Sequence, residues 1–487
     1  MIGAPTAVVV LAAGAGTRMK SKMPKVLHSI GGRSLLGHVL AAASPLQARH
    51  TVVVVGAGRE SVTEHLMEIA PSSEPVVQDV QNGSGHATRL ALAAIDDPAG
   101  TILVLNGDVP LLGPDTLAAL CRAHEDAGNA MTILSADVPN PDGLGRIMRD
   151  GDQVRAVIEH KDATAEQLAI TEINAGAYAF EGAILGDVLA RLSTDNAQGE
   201  EYLTEAVTLL LEQNRQVGAY VAPDFEETLG CNDRVELAER GRQLNARTVT
   251  KWMREGVTVV DPQTTWIDVD VQLAPDVTLQ PNVQLLGATA VDTGAQIGPD
   301  CTLIDTEVGA DAVIIRTHAN LAVVGPEVSV GPFAYLRPKA ILRKGAKAGT
   351  FVEMKNADIG EGAKVPHLTY VGDATIGEGT NIGASSVFVN YDGVNKHHTI
   401  VGAHCRMGSD NMYVAPVEIG DGSASGAGAV IRHNVPPGSL AVSGGPQRNI
   451  PDWVVKNRAG TPTAKAALAA GAGSDSADQA TGSEPVE

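Results

Sequence analysis

From Val271 onward aliphatic side chains recur in runs six residues apart, which constrains this chain more than any other feature. The series runs Val271, Val277, Val283; Val291, Ile297, Leu303; Val324, Val330; Ile359, Val365, Val371; Ile376, Ile382; Val401, Met407; then Ile419, Ser425, Ile431. Glycine often follows the spaced residue, as in "IGEGTNIGASS" (376–386) and "VGPEVSVGPF" (324–333). One inward side chain every six residues, with small residues at the bends, coils a chain into a triangular prism of short parallel strands. The expected architecture over 256–458 is a left-handed parallel β-helix. The phase is lost near 385–400, "SSVFVNYDGVNKHHTIV", so a loop is expected to leave the coil there.

The first half obeys a different rule. "AVVVL" at 7, "TVVVVG" at 51, "TILVLNGD" at 101 and "AMTILSA" at 130 are short apolar runs separated by Ala- and Leu-rich stretches. Such alternation predicts a Rossmann-like α/β domain over 1–232, with a parallel sheet covered on both faces. Residues 233–255 read as one long helix with Leu237, Leu244 and Val249 on its apolar side, linking the two domains. At 487 residues the chain is long enough for two cores. Residues 459–487, rich in Ala, Gly and Ser, are expected to be a disordered tail.

Composition narrows the partners. With 36 basic and 57 acidic residues the net charge is -21, which repels a nucleic-acid backbone and an anionic membrane surface alike. Nucleic acid and membrane are not expected partners, and no run is long enough to span a bilayer. Cys121, Cys231, Cys301 and Cys405 are too scattered for a zinc site or a disulfide frame, which fits a cytoplasmic location.

A phosphorylated small molecule must then be gripped locally. "LAAGAGTRMKSKMPKVL" (11–27) follows the first strand but lacks the glycine and lysine spacing of a dinucleotide fingerprint or a P-loop. Glycine at 14 and 16 lets backbone amides approach phosphate, and Arg18 and Lys25 supply positive charge. Asp108, at the end of an apolar strand, can hold a hard cation bound by only one or two protein oxygens.

Together with "GSGHA" (83–87), "NGDVPL" (106–111), "GLGRI" (143–147), "EHKDA" (159–163), "EINAG" (172–176) and "CNDR" (231–234), this loop resembles the sugar-nucleotide pyrophosphorylases. The order and spacing resemble most closely the bifunctional bacterial enzymes of UDP-N-acetylglucosamine synthesis, over residues 5 to about 458. The resemblance implies binding of UTP and UDP-N-acetylglucosamine by Leu11, Ala12, Ala13, Gly14, Lys25, Gln78, Gly83, Ser84, Asp108, Gly145, Glu159, Asn174 and Asn232. It also implies Mg2+ held by Asp108 and Asn232. Asn82 departs from the family pattern, which has an aliphatic residue there.

The coil carries its own chemical residues. Arg337 and Lys355 form a pair able to bind a second phosphate. His367 is the candidate general base for deprotonating an amine, since imidazole titrates near operating pH. Asp373 is a candidate to orient it. The resemblance places Arg337, Lys355, Tyr370, Asn381, Asn390 and Tyr391 at glucosamine 1-phosphate, and Ala384, Asn390, Tyr391, Ser409 and Ala427 at acetyl-CoA. Gly444 stands where some members bind coenzyme A with an arginine, so Arg448 or Arg432 is the expected substitute. His397 and His398 read as a solvated loop rather than a metal site.

The resemblance further implies a homotrimer with acetyl-transfer sites built between subunits. Two other readings stay open from sequence: a pyrophosphorylase whose coil is only an oligomerisation scaffold, and a non-enzymatic sugar-nucleotide-binding regulator.

Overall fold

The computed structural model describes residues 3–445 and 447–473. All four apolar runs are strands of one sheet, ordered Val217–Val221, Met131–Asp137, Glu172–Glu181, Thr101–Asn106, Ala7–Ala12, His50–Val55, Glu74–Val77. The sheet is not wholly parallel, which corrects the sequence expectation. Glu172–Glu181 runs antiparallel to both neighbours, and the hairpin of Arg146–Asp150 and Gln153–Ile158 hangs from it. Helices cover both faces and close one apolar cluster on each, around Val8, Val10 and Leu105 on one side and Val9, Val54 and Phe180 on the other. Fully apolar strands are what a sheet buried on both faces requires.

The helix Arg234–Arg254 starts at Asp233, whose carboxylate accepts from the amides of Val235 (2.8 Å) and Glu236 (2.9 Å). Leu237 and Leu244 pack on Ile30, Leu35, Leu111 and Cys231, whereas Val249 and Trp252 belong to the core of the coil. Asn245, buried, clamps the helix to the coil by donating to the Thr265 carbonyl (2.8 Å) and accepting from the Ile267 amide (3.0 Å). One helix thus plugs both cores. The turn at Gly31 adds a second junction, its carbonyl accepting from the Val269 amide, with Arg33 paired to Asp270 at 2.6 Å.

Beyond it the chain winds as a parallel β-helix, each turn lying one rung above the last. Val283 pairs with Cys301 and Gln272 with Ala290, a step of about eighteen residues, or three hexads. Every residue of the hexad series is buried, from Val271, Val283 and Leu303 at 0 % exposure to Ser425 at 9 %. Burying one such aliphatic side chain contributes roughly 1.5–3 kcal/mol, and the single stripe of them forms one continuous core. The small corners are obligatory: a Cβ on Gly360 would lie 2.6 Å from the Glu378 amide nitrogen of the next turn.

The loop expected at 385–400 leaves the coil as a small hairpin, with Tyr391 bridging to Lys396. It lengthens one rung, so that Asn381 pairs with Arg406 rather than with a residue about eighteen further on. The disorder expected from residue 459 is not found over 459–473. Pro462–Ala469 is a helix capped by Thr461, whose hydroxyl accepts from Ala464, and Ala464 is buried. Alanine is a strong helix former, a property that a count of bulky apolar residues does not register. Residues 474–487 lie outside those described. Among the described residues no helix is long and apolar enough to cross a membrane.

Candidate active sites

In the α/β domain the loop after Ala7–Ala12 forms one wall of a cleft of about 300 Å³. Leu11, Ala12, Ala13, Gly14, Lys25, Gln78, Gly83, Ser84 and Asp108 all line it. Gly16 adopts φ +59°, the left-handed conformation that starts the turn Thr17–Met19 bearing Arg18. Lys25 Nζ donates to Asp108 Oδ2 and lies 3.5 Å from Asn232 Oδ1, which also accepts from Arg18 Nη2 at 2.9 Å. Four residues from three distant segments thus converge. The backbone fixes this convergence, because the Cys231 amide donates to the Asp108 carbonyl at 2.9 Å.

The Asp108 carboxylate and Asn232 carbonyl oxygen both face one cationic nitrogen, that of Lys25. A carboxylate and an amide oxygen are hard donors. They fit a hard divalent cation whose remaining ligands are water and phosphate. Among the described residues no group of three or more His, Cys, Asp or Glu is arranged to cage a metal by itself.

A second cluster holds Gly145, Glu159 and Asn174. The Asn174 amide donates to the Gly145 carbonyl (2.9 Å), and its side chain donates to the Tyr178 hydroxyl (2.8 Å). The strand register slips between Asn174 and Tyr178, where Gly176 takes φ +70°, and this bulge aims Asn174. Burial pushes the Glu159 carboxyl above its usual range, opposed by the hydrogen bond from Thr204 Oγ1 (3.2 Å).

Segment 200–204 joins the two clusters, and sequence reasoning missed it. Glu201 accepts the Gly85 amide at its carbonyl, donates its amide to the Asn82 carbonyl, and holds Arg89 through both carboxylate oxygens at 2.7 Å. Gln81, also missed, donates to the Ala13 carbonyl at 2.6 Å. An ion pair between residues more than a hundred positions apart leaves no trace in one sequence; Gln81 lay beside a quoted motif.

On the coil, hydrogen bonds between rungs set His367, Ala384, Ser409 and Ala427 in one column. The Ser385 amide donates to the His367 carbonyl (3.3 Å), Asp410 to Ala384 (2.7 Å) and Gly428 to Ser409 (2.9 Å). Asn381 lies in the adjacent column, between Lys364 and Arg406. His367 is exposed, and among the described residues its ring has no hydrogen-bond partner. Three residues on, Tyr370 pairs with Glu353, which accepts from Arg337 Nη1 at 2.8 Å.

Asp373 does not orient His367, contrary to the sequence expectation. Its carboxylate accepts from Lys355 (2.8 and 3.1 Å), Asn356 (2.7 Å) and Asn390. Asn390 is buried, while Tyr391 is exposed on the hairpin and donates to the Gly393 carbonyl at 2.6 Å. His397 pairs with Asp392 at 2.7 Å and His398 with Thr375 at 2.9 Å, so the two rings have separate partners. Arg448 is exposed on the segment after the last strand, and among the described residues it forms no ion pair with the column.

The MobA-like NTP transferase domain matches residues 8–169. Proteins named bifunctional protein GlmU match nearly end to end: one from Thermobifida fusca is 60 % identical, covering 97 % of this chain and 98 % of that one. One from Streptomyces avermitilis is 58 % identical (95 % and 97 %), and one from Corynebacterium jeikeium 55 % (95 % and 96 %). The chain belongs to the GlmU family. The matches to the GlmU relatives extend through both the cleft and the coil.

Proposed function

We infer that this chain is a two-site transferase: it acetylates glucosamine 1-phosphate with acetyl-CoA, then transfers UMP from UTP to the product, giving UDP-N-acetylglucosamine and pyrophosphate. The observation that carries the reading is the pairing, within one polypeptide, of the Lys25, Asp108 and Asn232 cleft with the column of His367, Ala384, Ser409 and Ala427.

In the cleft, a phosphate oxygen of the sugar phosphate attacks the α-phosphorus of UTP and pyrophosphate leaves. Negative charge grows on the phosphoryl oxygens, so positioning and charge neutralisation do the work. Backbone amides of the Gly14 to Gly16 turn, Arg18 and Lys25 supply it. Gln78, Gly83 and Ser84 select the uracil edge; Gly145, Glu159 and Asn174 hold the N-acetylglucosamine moiety. A divalent cation, which we assign as Mg2+, would be held by Asp108 and Asn232 and would add positive charge between the phosphates.

On the coil, Arg337 and Lys355 hold the phosphate of glucosamine 1-phosphate, with Tyr370, Asn381, Asn390 and Tyr391 around the sugar. His367 takes the proton from the ammonium group, the freed amine attacks the thioester carbonyl, and coenzyme A departs as thiolate, which is then protonated. Ser409 lies along the column as the donor to the developing oxyanion, and Ala384 and Ala427, being small, leave room for the pantetheine chain. Arg448 would meet the phosphates of coenzyme A only if its segment is brought to the column.

The assembly we propose is a homotrimer of coils. Phe333 and Phe351 stack at 5.3 Å on a coil corner, and with Leu368 they are 51–62 % exposed, immediately beside His367. Contiguous exposed apolar surface of this kind marks an interface.

The test is to give the purified protein glucosamine 1-phosphate, acetyl-CoA, UTP and Mg2+, reading thiol and pyrophosphate separately. Both signals must appear, with pyrophosphate dependent on prior acetylation. Pyrophosphate from supplied N-acetylglucosamine 1-phosphate with no thiol from any amino sugar would instead make the coil a scaffold.

A further inference from the structure

Among the described residues, Asp373 is the one buried carboxylate on the coil, and it ties together residues from different rungs. It is 7 % exposed, sits at φ +49°, and stands between Gly372, which pairs with Lys355, and Ala374, which pairs with Ala357. Its two oxygens accept four hydrogen bonds: two from the Lys355 ammonium, one from Asn356 and one from Asn390. Burial alone would push its carboxyl up, but the bonds from Lys355, Asn356 and Asn390 outweigh that and hold it below the usual carboxylate range. The left-handed backbone matters here. Asn356 at φ +46° and Asp373 at φ +49° occupy the same corner of successive turns, where short polar side chains tolerate that conformation.

We propose that Asp373 is a positioning residue for the acetyl-transfer site: through its carboxylate it aims the Lys355 ammonium at the phosphate of the amino sugar without touching the substrate itself. Lysine is a flexible point charge on a four-carbon stem, and free rotation would blunt its use as a phosphate anchor. Two hydrogen bonds from one ammonium to one buried carboxylate remove that freedom before substrate arrives, leaving its third N–H for the phosphate. Asn390 donates to Oδ2, an oxygen that Lys355 shares. The inference rests on the reading of Lys355 as a phosphate anchor, so the experiment separates the two.

The experiment is a double-substitution cycle on the full chain with Lys355→Met and Asp373→Asn, measuring thiol release with glucosamine 1-phosphate and, separately, with glucosamine. Loss of one charge-assisted contact predicts that Asp373→Asn raises KM for the phosphorylated acceptor about tenfold or more, with kcat changed by less than about threefold. With glucosamine, which has no phosphate to aim at, kcat/KM should change by less than about twofold. In the Lys355→Met background Asp373→Asn should add nothing, because its effect acts through the lysine.

An unchanged KM in Asp373→Asn overturns the inference, as does an equal loss with both acceptors or a fully additive loss in the double variant. An unchanged KM in Lys355→Met removes the phosphate-anchor reading itself and the inference with it. Should Asp373→Asn lower the folded yield, Lys355→Met/Asp373→Leu, which deletes charge together with counter-charge, is compared with Lys355→Met alone. Equal KM values support the inference and a further rise overturns it.

Discussion

The cleft and the coil hold their candidate site residues by opposite means. In the cleft, Lys25, Asp108 and Asn232 come from three segments far apart in sequence, and they meet through side-chain contacts and the backbone bond from Cys231 to Asp108. On the coil, His367, Ala384, Ser409 and Ala427 are placed by a single device, the rung register, which sets one residue above another whatever the side chain. A folded α/β domain can therefore lose its site through one local error. A coil site tolerates local changes but depends on the register of every turn below it.

The difference is broken most severely by removing one chemical group from each region. Asp108→Ala is expected to abolish pyrophosphate release while thiol release stays within about twofold, since each site works on its own substrates. His367→Ala should lower thiol release by roughly 100- to 10,000-fold, the usual contribution of a general base, and leave pyrophosphate release from supplied N-acetylglucosamine 1-phosphate intact. Separate progress curves for the two products decide the matter. Loss of both products in either variant would mean that the regions are not independent.

A second change tests whether the coil site is complete in one chain. Phe351→Lys places a charge in the exposed stack with Phe333 and is expected to shift the protein to a smaller species in sedimentation. Thiol release should fall with the assembly, while pyrophosphate release, whose cleft is closed within one chain, persists. A monomer that retains full thiol release would show that the column of His367 needs no neighbour.

How legible each region was follows from the same contrast. Every residue of the hexad series is buried, because a coil that repeats in space must repeat in sequence, although the series missed core residues such as Ile314, Leu336, Leu342 and Met354. Ala384, Ser409 and Ala427 were named from the family resemblance and not from that spacing, and the rung hydrogen bonds set them in one column with His367. The partners of Asp373 obey the register: Lys355, Asn356 and Asn390 lie 17 or 18 positions away, one turn along the coil, whereas His367, the partner expected from sequence, lies within the same turn. In the cleft the glycine turn, Lys25 and Asp108 were readable as chemistry. The contributions of Glu201, Thr204 and Gln81 were not, because they act through long-range contacts that no local pattern encodes. The antiparallel course of Glu172–Glu181 was equally hidden, since an apolar run looks the same in either direction.

A smaller effect sharpens the comparison from the side of packing. Ile382 is fully buried in the coil stripe, one position after Asn381. Ile382→Ala should cost about 2–5 kcal/mol, the range for an aliphatic truncation that leaves a cavity. Because repeat arrays pass strain to adjacent rungs, calorimetry should show the coil transition lowered and thiol release lost earlier on heating. The α/β transition and pyrophosphate release should keep their midpoints.

The smallest expected effect belongs to Glu159, and its sign is opposite to that of Asp373. Burial raises the Glu159 carboxyl above its ordinary value of 4.5, so the folded chain keeps this proton to higher pH than the unfolded chain does. In that window the native state binds more protons, and stability falls as pH climbs from the unfolded value through the folded one. For Asp373, held below 3.8, the contribution is present above the unfolded value and is lost as pH falls through the folded one. Glu159→Gln should therefore flatten the decline above pH 4.5 and slightly raise stability at neutral pH. Asp373→Asn should remove part of the acid-side loss below pH 3.8. Chemical denaturation across both windows measures the two slopes. Equal slopes of the same sign would contradict the two environments, one a desolvated carboxyl, the other a carboxylate already satisfied by four hydrogen bonds.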